Sequence, residues 1–479
     1  MTGPPTGEPD RLRPGDDAAH RYQRLSPLTP LVRSGILVLA VLVTTWDDLL
    51  GGDIGLQVWL FLGLMVAGLG YGAVSWLRTK YWVEADELRV DTGVLSRQSR
   101  RIRVDRLQGI DIVQPFVARL LGLAELKMDV AGGSSGEGSL AYLRLADAER
   151  LRETLLSRRD LVRAGHDGTP APGHEEPPGG PATSPPPPEQ LLARLDLGTL
   201  LVSLLLSVET LVFAGLVVVV AVVFVGVGHV AGVAAGGLPV VAGFLLTQFR
   251  KLSAYYGFTV SLERTPSGSA LRIRRGLFER SSQTVAVARV QGVVLSEPLL
   301  WRRLGWARLD VSVAGGDSGS EENGPLASTV LPVASREHVR WLARVLLAGE
   351  DAHRGALGEP GPDPDLVVLE GAPRRARFAT PWWRVLAGGI GTQLVVSREG
   401  VLVRRTHVVP HARVQSTQLL QGPWQRRLGL ADLRVDSPPG AVKVRLRHRE
   451  VGQARSWLDA ENAAAGRARL STGRRAEGD

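Results

Sequence analysis

A motif that occurs three times constrains this chain of 479 residues more than any other feature of its sequence. The copies begin at Arg106, Arg289 and Arg413 and align without gaps, 183 and then 124 residues apart. Each starts with Arg-(Leu/Val)-Gln and continues, 13 residues later, with Arg-x-Leu-Gly-x-Ala. A repeated sequence predicts a repeated structural unit. The repeated polar residues are Arg106, Gln108, Arg119, Arg289, Gln291, Arg302, Arg413, Gln415 and Arg426.

The similarity extends to both sides of the motif. A glycine precedes each first arginine by 13 residues, at Gly93, Gly276 and Gly400. The flanking segments alternate apolar and polar residues, with Gly and Pro between them, which is typical of antiparallel strands. Each copy then ends in a segment with helical apolar spacing, at 146–159, 335–347 and 448–465. The repeat unit is therefore predicted to contain several strands followed by one amphipathic helix.

Two long apolar segments lie outside the repeated motif. Residues 28–77 contain two apolar runs with an acidic turn between them, and residues 197–252 have room for two helices, at 200–224 and 230–249. Each run can cross a hydrocarbon core of roughly 30 Å. Segregated apolar runs also explain how a chain with 22% charged residues keeps a mean hydropathy of +0.03. We predict four transmembrane helices in two hairpins.

Basic residues predict the orientation of these helices. They flank both hairpins, as Arg33 and Arg78 do for the first and Arg194 and Lys251 do for the second, whereas the two connecting turns contain no Lys or Arg. The positive-inside rule then places both termini and every large polar segment in the cytoplasm. We expect a multi-pass protein of the inner cell membrane.

Composition indicates where one part of the chain ends and the next begins. Pro, Gly and acidic residues are concentrated in 161–196 and 350–372, which are predicted to be extended linkers. The other predicted parts are a disordered polar tail (1–27), a transmembrane hairpin (28–77), a first domain (78–160), a second hairpin (197–252), a second domain (253–349), a third domain (373–465) and a disordered basic tail (466–479).

The Arg-x-Gln and Arg-x-Leu-Gly-x-Ala elements, with the preceding glycines, resemble the bacterial pleckstrin-homology-like (PH-like) domain family in its membrane-flanked type. Members of that family alternate transmembrane hairpins with PH-like domains. The resemblance implies an α+β membrane protein with three partly open β-barrels, each capped by its C-terminal helix. The third copy departs from the pattern, because only the short amphipathic segment 378–386 stands where a hairpin is expected.

Two interpretations of the repeated polar residues stay open. An Arg two residues before a Gln projects on the same strand face, and a guanidinium can bind phosphate or carboxylate as a fork. Alternatively, the Gln satisfies backbone groups at a strand end and the Arg bridges to the rim of the barrel. The second arginine, before Leu-Gly, either binds a ligand too or orients the turn into the next strand.

Clusters of arginine indicate contact with an anionic surface, since the chain has a net charge of +9. Domains tethered by hairpins stay near the inner leaflet, whose anionic lipids attract each Arg by roughly 1 kcal/mol. A Trp pair beside one cluster suits the headgroup region. The alternative is a solvated face balanced by nearby acids. The candidates are Arg97, Arg100, Arg101, Arg103, Arg272, Arg274, Arg275, Arg280, Arg374, Arg375, Arg377, Trp382 and Trp383.

The sequence lacks the patterns that catalysis or cofactor binding requires. It contains no Cys, no Gly-x-Ser-x-Gly and no P-loop pattern. His407 and His411 are four residues apart, but Pro410 lies between them and no carboxylate ligand is obvious nearby. No recognition helix, RNP-like strand or zinc spacing indicates nucleic-acid binding. We expect no enzymatic activity, no cofactor, no metal and no nucleic-acid partner.

Two functions are compatible with these features. The first is a scaffold that binds protein partners or anionic lipid headgroups, for which the family resemblance implies a role in envelope maintenance or stress resistance. The alternative is a subunit of a transport or export system with a substrate path through the four helices. Glu209, the only acid in the second apolar block, would then be the key residue, although its place near a helix end favours the membrane interface.

Overall fold

The computed structural model describes residues 23–24, 77–84, 87–92, 98–130, 139–166, 190–226, 230–265, 268–314, 328–347 and 363–476, with single positions between 59 and 74. The chain divides into two compact units. The first contains residues 1–107, 117–126 and 138–172, and the second contains 108–116, 127–137 and 173–479. The predicted first hairpin (28–77) lies almost entirely outside the described residues.

The first copy of the repeat begins with an antiparallel sheet in the order β1-β2-β3-β4. Its strands are β1 (Gln23–Arg24), β2 (Lys80–Glu84), β3 (Glu87–Thr92) and β4 (Gln98–Arg103). A short 3-10 helix, Val104–Arg106, follows. The copy continues with β5 (Leu107–Gln114), α1 (Phe116–Leu120), β6 (Leu123–Val130), β7 (Ser139–Arg144) and α2 (Leu145–His166).

The second copy has the same order of elements, with a large helical insertion. Its first half contains β8 (Gln190–Arg194), α3 (Leu197–Leu205), α4 (Val208–Gly226), α5 (Val230–Tyr255), β9 (Thr259–Thr265), β10 (Gly268–Arg275) and β11 (Arg280–Ala286). Its second half contains the 3-10 helix Val287–Arg289, β12 (Val290–Pro298), α6 (Leu299–Arg303), β13 (Trp306–Val313), β14 (Thr329–Ser335) and α7 (Arg336–Leu347).

The third copy follows a 3-10 helix at Pro364–Leu366. Its first half contains β15 (Glu370–Gly371), β16 (Ala387–Ile390), β17 (Leu394–Glu399) and β18 (Val403–Pro410). Its second half contains the 3-10 helix His411–Arg413, β19 (Ser416–Leu420), α8 (Pro423–Leu428), β20 (Leu430–Asp436), β21 (Val444–Glu450) and α9 (Val451–Ala476).

Helices α2 and α7 confirm two of the predicted amphipathic segments. In α2, the residues predicted to share one face, Leu151 and Leu155, are both buried. In α7, Val339 and Leu342 are buried, and the Ser335 hydroxyl accepts a hydrogen bond from the backbone N–H of His338 (3.3 Å). A serine at this place satisfies a backbone donor that the first turn of a helix leaves unpaired.

The apolar helices α3 to α5 are inserted between two paired strands. β8 precedes them and pairs with β9, which follows them. In the third copy, β15 pairs with β16, and two 3-10 helices, Arg374–Phe378 and Trp383–Val385, occupy the same place. The first strands therefore fall within the predicted linkers 161–196 and 350–372. Such short strands are specified by their partners, which lie beyond the insertion in the sequence, so local composition does not reveal them.

Strands of the second and third copies form one continuous antiparallel sheet. Its order is β14-β13-β12-β18-β17-β16-β15. At its centre, β12 of copy 2 pairs with β18 of copy 3, from Val293 opposite Val408 to Pro298 opposite Val403. The backbone of one copy is thus hydrogen-bonded to the backbone of the next, which the prediction of separate barrels did not include.

The junction between the first two copies has the same register. Here β5 pairs with β11, with Ile112 opposite Ser282. The residues one repeat further along are Leu295 (183 residues after Ile112) and Thr406 (124 residues after Ser282). These two residues are opposite each other in the next junction. Both junctions therefore follow one rule, in which the fourth strand of a copy pairs with the fifth strand of the copy before it.

Strands at the second junction are buried on both faces, because each belongs to two cores. In β12, Val293 packs in the core of copy 2 and Val294 in the core of copy 3. In β18, Val408 packs in the core of copy 2 and Val409 in the core of copy 3. Strands covered on both faces have continuous apolar runs. The expected alternation of apolar and polar residues is therefore wrong at this junction.

The second apolar block is broken near its start. Among the described helices, none alone meets the length and hydropathy needed to cross a membrane, whereas α3 and the 208–223 part of α4 meet them together with a bend of 45°. The hydroxyl of Ser207 accepts from the backbone N–H of Thr210 (3.3 Å), and Thr210 Oγ1 donates to the Leu204 carbonyl (2.7 Å). These side chains compete with the helical backbone bonds, so the predicted helix 200–224 becomes two.

The prediction of a disordered tail at 466–479 is also wrong for most of its length, because α9 continues to Ala476. Residues 463–470 are rich in Ala and Arg, which are strong helix formers. Arg469 also donates from Nη1 to the carbonyl oxygen of Val414 (3.4 Å). Local propensity and this contact together extend the helix beyond its predicted end at 465.

Replacing Gly400 with alanine should destabilise the third copy by about 2 kcal/mol. Gly400 has φ +91°, and an added Cβ would lie 2.1 Å from the carbonyl oxygen of Val403. Gly452→Ala is the matched control, because open space surrounds that position in α9. Thermal unfolding of the detergent-solubilised chain measures both. Similar melting temperatures for the two variants would contradict the expectation.

Candidate functional site

The first repeated arginine binds backbone carbonyls of the protein itself in two copies. In copy 2, Nε of Arg289 donates to the carbonyl oxygen of Ala314 (3.0 Å). In copy 3, Nη2 of Arg413 reaches back to copy 2 and donates to the carbonyl oxygen of Ala288 (2.8 Å). The side chain of Arg106 is exposed. The guanidinium groups of Arg289 and Arg413 therefore bind backbone carbonyl groups on either side of the β12–β13 hairpin of copy 2.

The repeated glutamines have different surroundings. Gln291 is buried, and its Nε2 donates to the carbonyl oxygen of Arg289 (3.1 Å). Gln415 has an exposed side chain, and its backbone N–H donates to the Asp436 carbonyl (2.9 Å). The side chain of Gln108 is not among those that the structure describes. No common ligand geometry links the described members of this set.

The second repeated arginine connects one copy to the glycine turn of the next. Nη2 of Arg302 donates to the carbonyl oxygen of Val401, and the backbone N–H of Leu299 donates to the Leu402 carbonyl (2.8 Å). Val401 and Leu402 directly follow Gly400. Two repeated motifs therefore meet here, since the helix motif of one copy holds the glycine turn of its neighbour.

Equivalent positions meet at the first junction. Phe116 and Phe278, which correspond to Leu299 and Leu402, pack edge to face with ring centroids 5.6 Å apart. The side chains of Arg119 and Arg426 are exposed. A contact between helix and turn thus accompanies the strand pairing at both junctions.

The first two arginine clusters lie mostly on exposed strand surfaces. β4 exposes Arg100, Arg101 and Arg103, and Arg103 pairs with Asp105 (2.7 Å). Arg97 lies outside the described residues. In the second cluster, Arg274 and Arg280 are exposed, whereas Arg272 and Arg275 are half-buried. The seven described side chains are distributed over three strands, β4, β10 and β11.

The third cluster surrounds the tryptophan pair where copy 3 has no helical insertion. Arg374, Arg375 and Arg377 are exposed. Trp382 is 60% exposed, whereas Trp383 packs against a small apolar cluster that includes Ala376, Leu386 and Leu430. One indole therefore anchors this segment, and the other projects beside the basic residues.

A cavity of about 770 Å³ lies between the base of α3 to α5 and strands of copies 2 and 3. Its apolar wall includes Leu200, Leu204 and Trp301. The indole Nε1 of Trp301 donates to the carbonyl oxygen of Ser203 (3.2 Å), which ties α3 to α6. Leu200 is also part of the core of copy 2. The apolar helices therefore line the cavity together with copies 2 and 3.

Charged side chains also line this cavity. Four are cationic and two are acidic: Arg250, Lys251, Arg308, Arg405, Glu209 and Asp310. Nε of Arg308 lies 2.9 Å from Oδ1 of Asp310. Burial raises the pKa of Asp310 above its ordinary value, although the charge of Arg308 opposes this shift. The lining has an excess of two positive charges, so it is suited to an anion.

Glu209 is paired with a cation of the neighbouring helix. It lies in the first turn of α4 and forms an ion pair with Lys251 of α5. Thr210, the next residue of α4, accepts a hydrogen bond at its Oγ1 from Nε2 of Gln248 in α5 (3.2 Å). These contacts align the two helices antiparallel, with the acid at the end of the pair.

Arg308, Asp310 and Arg405 were not among the predicted site residues. A signal for the first two does exist, because each copy has opposite charges two residues apart at this place. The equivalent pairs are Glu125 and Lys127, Arg308 and Asp310, and Asp432 and Arg434. Arg405 has no such signal, since it reaches the cavity only through the pairing of β18 with β12.

The two histidines of copy 3 have different partners. Nδ1 of His411 lies 2.8 Å from Oε1 of the buried Glu461. Burial alone would lower the pKa of His411, but the hydrogen bond and charge of Glu461 outweigh it and raise the pKa. Nδ1 of His407 instead accepts from the backbone N–H of Lys443 (3.2 Å). Burial, with the charges of nearby Arg405, Arg447 and Lys443, lowers the pKa of His407 to about 4.

Three segments of the chain match the family model described as Bacterial PH domain, at residues 34–159, 201–349 and 378–462. Each contains one copy of the motif. Among curated proteins, the chain is similar to the UPF0699 transmembrane protein YdbT of Bacillus subtilis (strain 168), with 22% identity over 306 residues. The aligned region covers 61% of this chain and 60% of that protein, so the chain spans less than two thirds of its relative's length.

Lowering the pH from 7 to 5 should destabilise the chain through His407. Its pKa of about 4 in the folded protein lies below the ordinary value of about 6.5, so the unfolded chain takes up the proton first. The stabilising effect of the neutral ring is complete above pH 6.5 and decreases toward pH 4, by roughly 3 kcal/mol in total. Thermal unfolding in detergent at both pH values measures the loss.

The variant His407→Gln isolates this effect, because glutamine does not titrate. Its melting temperature should change less between pH 7 and 5 than that of the unmodified chain. His411, whose pKa is raised, is present in both chains, so its contribution to the pH dependence cancels when the two are compared. An unchanged pH dependence in His407→Gln would contradict the assignment.

Proposed function

We propose that this chain, which belongs to the bacterial PH domain family, is a non-enzymatic protein anchored in the membrane. In this proposal it holds anionic lipid headgroups at the cytoplasmic face. The anchor is supported by α4, which exposes large apolar side chains such as Val212, Leu216 and Val222. A helix that is apolar on every side is typical of a membrane span. The similar protein of Bacillus subtilis also has the name transmembrane protein. The proposal includes two transmembrane hairpins, with both chain termini and the PH-like copies in the cytoplasm.

The cavity at the base of α3 to α5 carries the lipid-binding part of the proposal. It joins an apolar wall to a lining with two excess positive charges, and helix α4, which contributes Val208 and Glu209 to the lining, exposes large apolar side chains further along. A phospholipid has the same division, with an anionic headgroup on apolar chains. The headgroup would lie near Arg250 and Arg405, and the chains would follow α3 and α4.

A second contact with the headgroup region is supported by the third copy. The segment that replaces its helical insertion exposes Trp382 beside Arg374, Arg375 and Arg377. Indole rings favour the membrane–water interface, and the inner leaflet attracts the arginines. This copy would therefore rest on the surface rather than enter the membrane.

In this arrangement the copies form a scaffold. Shared sheets join neighbouring copies, so that lipid and protein partners would bind to one molecule without catalysis. We propose a role in envelope maintenance or stress resistance for it. The alternative of a transport subunit depends on Glu209, whose ion pair with Lys251 lies at the end of the helix pair. Such a pair fits an interface better than a substrate path, so the scaffold is favoured.

Removing the excess positive charge should weaken the binding of anionic lipid. Each arginine near the inner leaflet contributes roughly 1 kcal/mol, so the double variant Arg250→Gln, Arg405→Gln should retain phosphatidylglycerol about 30-fold more weakly. The full chain is reconstituted in nanodiscs of phosphatidylcholine with graded phosphatidylglycerol. Native mass spectrometry of the released protein then counts the lipid that stays bound.

The matched control is the double variant Arg303→Gln, Arg455→Gln. Both side chains are exposed outside the cavity, and their removal changes the net charge by the same amount. We expect the control to retain phosphatidylglycerol like the unmodified chain. Equal loss in both variants would show a diffuse charge effect and would contradict a site in the cavity.

A further inference from the structure

Copies 1 and 3 each have an edge strand that corresponds to a strand paired at the internal junctions. At both junctions, the fourth strand of one copy (β11 or β18) pairs with the fifth of the copy before it (β5 or β12). The matching strand of copy 1 is β4, which ends its four-stranded sheet. The matching strand of copy 3 is β19, which ends its three-stranded sheet. Within the described residues, the chain thus presents one edge of each kind.

We propose that β4 of one molecule pairs with β19 of a second copy of this chain, so that molecules join head to tail. The two internal junctions have the same register, so the repeat spacing also sets the register between molecules. It places Ser99 opposite Leu419 and Arg101 opposite Thr417. These pairs correspond to Ser282 with Ile112 and to Val408 with Val293.

The end of copy 3 also has the other parts of a junction. At the internal junction, Arg302 of α6 donates to the turn of the next copy. The equivalent Arg426 of α8 is exposed in this chain, and the neighbouring Trp424 is 54% exposed. A second molecule seated on β19 would meet this helix as copy 3 meets α6.

The side chains of the two edges are compatible with this pairing. β4 has Arg100, Arg101 and Arg103, whereas β19 has no charged residue, so like charges do not oppose each other. A polar fourth strand does not prevent pairing, because β11 pairs with β5 through Ser281 and Ser282. Arginines on an edge instead discourage unspecific pairing with apolar strands. The edges therefore favour a second copy in one register.

The contact is heterologous, because different surfaces of the two molecules meet. Such contacts repeat from molecule to molecule and form rings or open chains. Anchored molecules move in the plane of one membrane, which favours repeated encounters of these edges. The proposed assembly would place the scaffold's binding sites side by side.

Cysteine cross-linking tests the register, since the chain contains no natural cysteine. A chain with Ser99→Cys and one tag is co-expressed with a chain that has Leu419→Cys and a different tag. Directly opposed Cα atoms lie about 5 Å apart, within disulfide reach. Oxidation of native membranes should produce a disulfide-linked dimer with both tags, and neither chain can form this bond within itself.

Two controls define the result. Ser282→Cys with Ile112→Cys in one chain reports the equivalent internal pair. Thr417→Cys replaces Leu419→Cys as the register control, because diagonal partners about 7–8 Å apart exceed the usual reach of a disulfide. We expect several times less dimer from it than from the direct pair.

The variants Arg426→Ala and Arg427→Ala extend the test to the helix contact. Both side chains are exposed on α8, but only Arg426 corresponds to Arg302. Arg426→Ala should reduce the Ser99–Leu419 dimer several-fold, and Arg427→Ala should leave it unchanged. A dimer no stronger than the register control, or absent while the internal pair forms, would overturn the proposal. Neither result depends on Arg250 or Arg405, so the lipid site is tested separately.

Discussion

The pairing of β12 with β18 is the interaction on which much of the second unit depends. It lets Val293 pack in one core and Val294 in the next, so two copies share a wall that neither could bury alone. Backbone groups along this edge are satisfied by the neighbouring copy, which removes the exposed edge that an open barrel would leave. The repeated arginine and glycine motifs meet at the same place, where Arg302 holds the turn after Gly400.

The candidate site is a consequence of this shared sheet. Arg308 and Asp310 belong to copy 2, whereas Arg405 belongs to copy 3 and reaches the cavity because β18 lies beside β12. The apolar wall comes from helices inserted between β8 and β9, which Trp301 ties to the same copy. A single isolated copy would therefore lack part of the charge or part of the wall.

Much of the local structure could be predicted, and the long-range pairing could not. The burial of Leu151 and Leu155 follows from helical spacing, which acts over a few residues. The first strands β8 and β15 carry too little local information, because their partners lie across an insertion. The predicted alternation was wrong at β12, where burial on both faces depends on a neighbouring copy. His407 and His411 illustrate the same limit, since their opposite pKa shifts depend on burial and on Glu461 rather than on their spacing.

The sequence by itself determined the number of copies, the succession of strands and one terminal helix in each copy, and the family. These properties depend on local periodicity and on residues repeated at constant spacing. Only the tertiary structure decided which strands pair between copies, where the insertion begins, and that Arg250, Arg308 and Arg405 line one cavity. Hydrogen bonds between strand edges depend on three-dimensional proximity, and positions far apart along the chain leave no local pattern that records it.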